Sequence, residues 1–364
     1  MLLAGAGFSG HLWAAPVCPG TALPAPTASN SVTFGDAIVY SLPILGVDVQ
    51  STPGQIQDCI VVMTGANGMP VNTNFAGMDN AYQTPTGQSG GPFFRTGDGA
   101  SSPDPGQVAP FTGDAATSWD IRLSALSSFL SGGDMVVYFN HNQVNSGAAT
   151  NQNLFIWAQL ALVDDQGVLD PLYFYVTSIP NTTGLSNFGD PGFDPTGYSG
   201  PQTAATNTYP SGSDAAGFPT GGLGTGTGSG DADFFVLARG QVCLDGPAGV
   251  GQPQPCDGTE VATVNHNLGA DHVAYAVIFP EIQAFLDSSG FGGYDVLQAD
   301  IRMGCNSAQI TGGVCPVGSV LNNGFEQAFI GVAETIRVPE PAPLALIGLA
   351  LAAMWGFRAR RRKH

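Results

Sequence analysis

Two strings of this 364-residue chain echo each other. Tyr138-Phe139-Asn140-His141-Asn142 and Thr263-Val264-Asn265-His266-Asn267 each run a β-type stretch into the same Asn-His-Asn triplet. With His272 they hold every histidine between residues 16 and 337. Imidazole is a common metal ligand and the side chain that titrates nearest neutrality. If the two strands are sheet neighbours, His141, His266 and His272 could form a polar cluster able to take a metal. No carboxylate spacing supports that, and Asn and His also cap strand ends by satisfying backbone groups that a turn leaves unpaired. The pattern favours the capping role, with His141 and His266 within reach of a shared loop.

Other residues invite chemistry less firmly. GQSGGP at 87–92 is one letter from the GDSGGP around the nucleophile of trypsin-like proteases. That chemistry needs a base and an orienting acid, encoded there before the serine. Only His11 precedes Ser89, and Gln88 stands where the family has its Asp, so chance in a Gly-rich loop explains the match. Asp190 and Asp194 in GDPGFDP, with Asp231 and Asp233, are oxygen ligands suited to calcium, the one cofactor the sequence suggests. EF-hand spacing is absent, and aspartate is also a common turn residue. Trp119, Trp157, Tyr173, Tyr175 and Tyr198 are candidates for stacking on sugars, although aromatics within strands more often fill the core. Asn181-Thr182-Thr183 is an N-x-T sequon.

Six cysteines give an even count. In an exported chain that composition reads as disulfides. Cys243/Cys256 and Cys305/Cys315 form two close pairs flanked by Gly and Pro, which suggests local bridges, while Cys18 and Cys59 are less clearly matched. None has the CxxC spacing of a zinc or redox motif.

The elements that must position these residues read as strands. Runs of β-branched and aromatic residues at 32–40, 57–64, 118–123, 135–140, 154–163, 172–177, 233–244, 260–265, 272–279, 295–303 and 324–332 alternate with turn clusters. Asp164-Asp165-Gln166-Gly167 has the composition of a hairpin turn. Short helical segments are expected at 123–130 and at 281–288, the latter introduced by Pro280. The pattern predicts an all-β, antiparallel, jelly-roll-like sandwich over 16–337 as one domain. Two long loops, 66–116 and 186–231, interrupt it, and the low complexity of 219–230 suits disorder.

Charge excludes one class of partner. All 28 acidic residues lie in 1–340, against only Arg95, Arg122, Arg239, Arg302 and Arg337. So acidic a surface repels nucleic acid and anionic lipid and attracts divalent cations.

The two ends concern delivery. Residues 1–15 read as the back half of a signal peptide, apolar to Phe8 and with small residues at Ala14-Ala15. No basic stretch precedes it, which suggests a start further upstream. Val17-Cys18 lacks the small residue that a lipoprotein signal carries before its cysteine. At the other end, residues 344–357 are apolar all round. As a helix they would span about 21 Å, against a hydrocarbon core of about 30 Å. Arg358, Arg360, Arg361, Arg362 and Lys363 follow, and their long stems can snorkel and lengthen the span. The positive-inside rule puts this basic end in the cytoplasm and 1–340 outside.

Val338-Pro339-Glu340-Pro341, the short apolar helix and the Arg-rich end together resemble the PEP-CTERM sorting signal of Gram-negative bacteria. The resemblance covers 338–364. It implies a membrane peptidase partner, an exosortase, that recognises Pro339, Glu340 and Pro341. It also implies inner-membrane anchoring with a periplasmic ectodomain, release to the surface or medium after processing, and a link to exopolysaccharide and biofilm. For the ectodomain itself the residues supply no catalytic set. A structural or adhesive matrix protein is the expectation, then a carbohydrate-binding module, then a secreted hydrolase.

Overall fold

The structure is a computed structural model and describes residues 18, 20–26, 31–52, 56, 58–65, 76–84, 93–96, 111–115, 118–143, 154–176, 236–238, 240–247, 251, 253–254, 258–304, 321 and 326–333. Among these the chain is mainly β.

One seven-stranded sheet runs in the order β1 (Ser31–Phe34), β2 (Ala37–Ser41), β14 (Tyr275–Ile278), β7 (Asp134–Phe139), β16 (Ala328–Ala333), β3 (Ile60–Thr64) and β4 (Tyr82–Gln83). A second sheet has the order β10 (Val236–Ala238), β8 (Leu154–Val163), β15 (Val296–Gly304) and β5 (Phe93–Arg95). In it β6 (Trp119–Arg122) also pairs with β15, and β9 (Leu172–Val176) with β8. A small third sheet joins β12 (Pro253–Gln254), β11 (Gln241–Leu244) and β13 (Ala262–Asn265).

The two larger sheets bury their facing sides in a common core. From the first come Ile60, Val62, Met135, Phe139, Ala328 and Ile330, and from the second Leu160, Phe174, Leu297, Ala299, Ile301 and Met303. Strand β7 shows how the sequence arranges this. Met135 and Phe139 point into the shared core, while Val136 and Tyr138 point the other way into a second cluster with Cys18, Leu23, Val61 and Phe329. Period-two alternation with both faces apolar is what a strand covered on both sides requires. Each fully buried side chain of this size contributes about 1.5–3 kcal/mol.

Two helices close one end. Helix α2 (Leu123–Leu130) buries Leu123, Leu126 and Leu130, a single stripe at helical spacing, and stops at Ser131 with φ 50°. Helix α3 (Pro280–Asp287) starts with proline in its first turn and buries Ile282 and Leu286. A shorter helix, α1 (Leu42–Leu45), follows β2 directly, capped by the Ser41 hydroxyl and ended by Gly46 at φ 68°.

The structure refines the expected elements at several points. The stretch 32–40 is a hairpin and not one strand, because Gly35 takes φ 64° and turns the chain between β1 and β2. The stretch 233–244 likewise divides into β10 and β11, which lie in different sheets. The sheets are not purely antiparallel, since β3 and β4 pair in parallel. The segment 66–116, read as a loop, contributes β4 and β5. None of the described helices is long and apolar enough to cross a membrane, and the expected tail helix lies outside the described residues.

Candidate functional site

The two Asn-His-Asn triplets do come together, but not as sheet neighbours. Strand β7 lies in the large sheet and β13 in the small one. After β13 the chain passes through His266 and Asn267 and returns to pair with β7 as β14. This brings the ends of both triplets to the edge of the sheets opposite α2 and α3.

There the side chains are buried and bonded to one another. Asn267 accepts from the Gln143 N–H at 2.9 Å and donates to the Gln143 carbonyl at 2.8 Å. Asn140 donates to the Ala270 carbonyl at 3.4 Å and accepts from the Gln327 N–H. The Gln327 amide accepts from the Thr64 hydroxyl at 3.0 Å and donates to the Ser51 and Ala270 carbonyls at 2.8 and 3.1 Å. Gln143 reaches the Glu326 carboxyl at 2.5 Å, and Thr84 donates to the Glu326 carbonyl at 3.2 Å. Asn140, His141, Glu326 and Gln327 are all essentially inaccessible. In a low-dielectric interior such a network is costly unless satisfied and specific when it is. It pins the strand ends of β3, β7 and β16 to the loop before β14.

His266 sits beside this network. Its Nε2 is 2.5 Å from the Ser41 hydroxyl, and its ring stacks on Tyr275 with centroids 5.0 Å apart. Burial pushes its pKa down to about 4, so the ring is neutral at ordinary pH. Ser41 also accepts from Ile44 N at 3.2 Å, so one hydroxyl joins the imidazole to the first turn of α1. A serine hydroxyl hydrogen-bonded to a neutral imidazole is the contact a nucleophile–base pair makes. Here the same oxygen caps α1 and the imidazole is wholly buried. His272 is apart from both, on the surface, with Nδ1 2.7 Å from Asp48.

Among the described residues, the groups of side chains close enough to share a metal contain no histidine. His141, His266 and His272 are not among those groups. The groups are Asp79/Asp114/Asp120 and Asp164/Asp165/Asp295. In the first, Asp120 accepts from the Ser118 hydroxyl at 2.7 Å and from Ala115 N, and Asp79 accepts from Asp120 N at 2.9 Å. These three carboxylates have the oxygen chemistry a hard divalent cation takes. In the second, Asp165 pairs with Arg122 at 2.9 Å, and three backbone N–H groups satisfy Asp164. The N–H groups of Gln166 and Leu169 hold the Asp164 carboxyl below its usual range, and the Gln166 side chain does the same for Asp165.

The aromatic candidates are mostly inside. Trp119, Trp157 and Tyr175 are fully buried, and Tyr173 is half-buried. Trp157 lies under the Arg302 guanidinium, 5.3 Å from ring to charge, and beside Tyr175. Cys18 and Cys59 are bonded to each other, and Cys243 is disulfide-bonded. Ser89, Asp190, Asp194, Asp231, Asp233, Cys256, Cys305, Cys315, Tyr198 and the tail from Val338 onward lie outside the described residues.

The sequence did not single out Gln143, Glu326, Gln327, Asp79, Asp114, Asp120 or Arg302. Gln327 sits next to Glu326 at the start of an apolar strand, and that polar pair was the available signal. The three aspartates are spread over 41 positions of sequence with no motif to join them.

Residues 21–302 match a domain of unknown function (DUF8239), well over half of the chain. The chain belongs to the DUF8239 family. Residues 337–362 match the PEP-CTERM protein-sorting motif, which makes this DUF8239 chain a PEP-CTERM protein. The polar cluster straddles the family boundary, since Glu326 and Gln327 lie beyond residue 302. No curated protein and no solved structure matches the chain. The sorting motif indicates export, anchoring in the membrane before processing, and sorting by an exosortase.

Proposed function

We propose that the exported domain is a structural or adhesive component of the extracellular matrix, placed at the cell surface or in the medium after processing and associated with exopolysaccharide. The observation that carries this reading is the sorting motif at 337–362 on a β-rich domain. The way the polar side chains are used supports it. His266 and the amides of Asn140, Asn267 and Gln327 are committed to buried bonds that tie strand ends together. The two facing sheets suit a jelly-roll-like sandwich. Its acidic surface, with 28 carboxylates on the chain, suits a hydrated polyanionic matrix bridged by divalent cations.

The test is co-sedimentation of the purified ectodomain with the host's own exopolysaccharide, with and without calcium. Retention on the polymer without release of sugar is the expected result. Failure to bind together with an unaltered matrix in a deletion strain would overturn the reading. Release of reducing ends would instead establish a hydrolase. Binding to isolated oligosaccharides would point to a carbohydrate-binding module, a reading that the burial of Trp119, Trp157 and Tyr175 disfavours.

A further inference from the structure

Two exposed aliphatic side chains stand on the end of the domain from which the chain leaves for its tail. Val168 is 81% exposed and Leu169 39%, in the turn between β8 and β9. The turn is built and not frayed. Asp164 accepts from the N–H groups of Gln166, Val168 and Leu169 at 2.9, 2.8 and 2.9 Å. A neighbouring turn at Ser289–Gly293 packs against it. A Cβ on Gly293 would lie 3.0 Å from Leu169, and the Tyr294 hydroxyl donates to the Asp170 carbonyl at 3.2 Å. Phe291, in that second turn, holds a positive φ of 51°, rare for an aromatic residue.

Strand register places these turns beside the exit of the chain. Val163, the last residue of β8, pairs with Val296, which also pairs with Arg122. From Arg122 helix α2 crosses to the start of β7, where Asp134 pairs with Ala333. Residues 334–343 separate Ala333 from Leu344, the first residue of the apolar tail segment. Ten residues reach at most about 35 Å even fully extended. A nine-residue strand such as β15 already spans about 30 Å, so the tether is little longer than the sandwich.

We propose that the end closed by α2 and α3 faces the bilayer in the tail-anchored precursor, with Val168 and Leu169 seated in the headgroup–acyl boundary. Buried Asn140, Glu326 and Gln327 then lie at the far end, away from lipid. Asp164, Asp165 and Asp170 flank the apolar pair, and negative charge there disfavours anionic lipid. The contact is therefore with zwitterionic headgroups. This inference rests on the sorting tail and is independent of the proposed matrix role.

The test uses the full chain, tail included, in nanodiscs of phosphatidylcholine. A photoreactive benzoylphenylalanine replaces either Val168 or Asp271, an exposed residue at the opposite end. Both positions are on the surface, so neither replacement disturbs the core. After illumination, lipid adducts are counted by mass spectrometry of the peptides. The inference expects adducts at 168 in several-fold excess over 271. Equal yields at the two positions, or none at 168, would overturn it.

Discussion

Asn267 holds Gln143 by both main-chain groups, accepting from its N–H at 2.9 Å and donating to its carbonyl at 2.8 Å. A single side chain thus locks the segment after β7 to the segment after β13, across 124 positions of sequence. Asn267→Ala removes both bonds in a place where water does not readily replace them. Each buried polar group that loses its partner costs about 1–3 kcal/mol, so the variant should lose about 2–4 kcal/mol. Urea unfolding of the ectodomain measures this, and a loss of under about 0.5 kcal/mol would show that the clasp does not matter.

His266 gives the fold a defined acid sensitivity. Its pKa falls from 6.5 to about 4 on folding because burial disfavours the imidazolium. The unfolded chain therefore binds the proton more tightly than the folded one. The stabilisation is complete above pH 6.5 and is lost as pH falls from there towards 4, for a total of roughly 3 kcal/mol. His266→Gln should flatten the stability profile across that window while leaving carboxylate effects at lower pH. An unchanged slope between pH 6 and 4.5 would rule out His266 as the group responsible.

The strands that carry most of the core were legible because their patterns are long and undiluted. The stretch 154–163 reads as β8 at both boundaries, and 123–130 reads as α2 with its leucine stripe. Short strands such as β4 and β12 were not legible, since two residues carry no periodicity and are held by their neighbours. The turn at Gly35-Asp36 was hidden inside an apolar run. Its placement depends on Asp36, whose carboxylate accepts from Tyr175 N at 2.8 Å, a contact local sequence does not encode. The triplets were visible as a repeat, and their partners Gln143, Glu326 and Gln327 were not. Those partners come from three chain segments that only the tertiary fold brings together.

The Cys18–Cys59 bond ties the segment that covers the outer face of the large sheet to the start of β3, closing a loop of 41 positions. Both cysteines are buried in the second apolar cluster with Leu23, Val61 and Phe329. By the loop-entropy model a closure of this length is worth about 4 kcal/mol. Replacing both with serine also places two hydroxyls among apolar groups, so the loss should at least equal that figure. A double Cys18→Ser, Cys59→Ser variant should shift the urea midpoint down and should expose the outer face to proteolysis near Leu23. An unchanged midpoint would mean that the covering segment contributes nothing to stability.

Arg302 presents the sharpest energetic case, because it is a guanidinium with no solvent access on β15. It donates to Asp300 at 2.8 Å through Nη2 and at 3.3 Å through Nε, and its charge lies 5.3 Å from the Trp157 ring. Asp300 also accepts from the Thr96 hydroxyl at 3.3 Å, which links the pair to the strand beyond. Removing one member of such a pair leaves the other charge poorly compensated, so Arg302→Ala should cost about 3–5 kcal/mol. Arg302→Lys keeps the charge but loses the planar fork and the stack, and should fall between wild type and alanine. The combined Arg302→Met, Asp300→Asn variant removes both charges while keeping volume. It should cost clearly less than the sum of Arg302→Met and Asp300→Asn made singly, since the groups act together. Strict additivity in urea unfolding of wild type, the two singles and the double would show that Arg302 and Asp300 are not coupled.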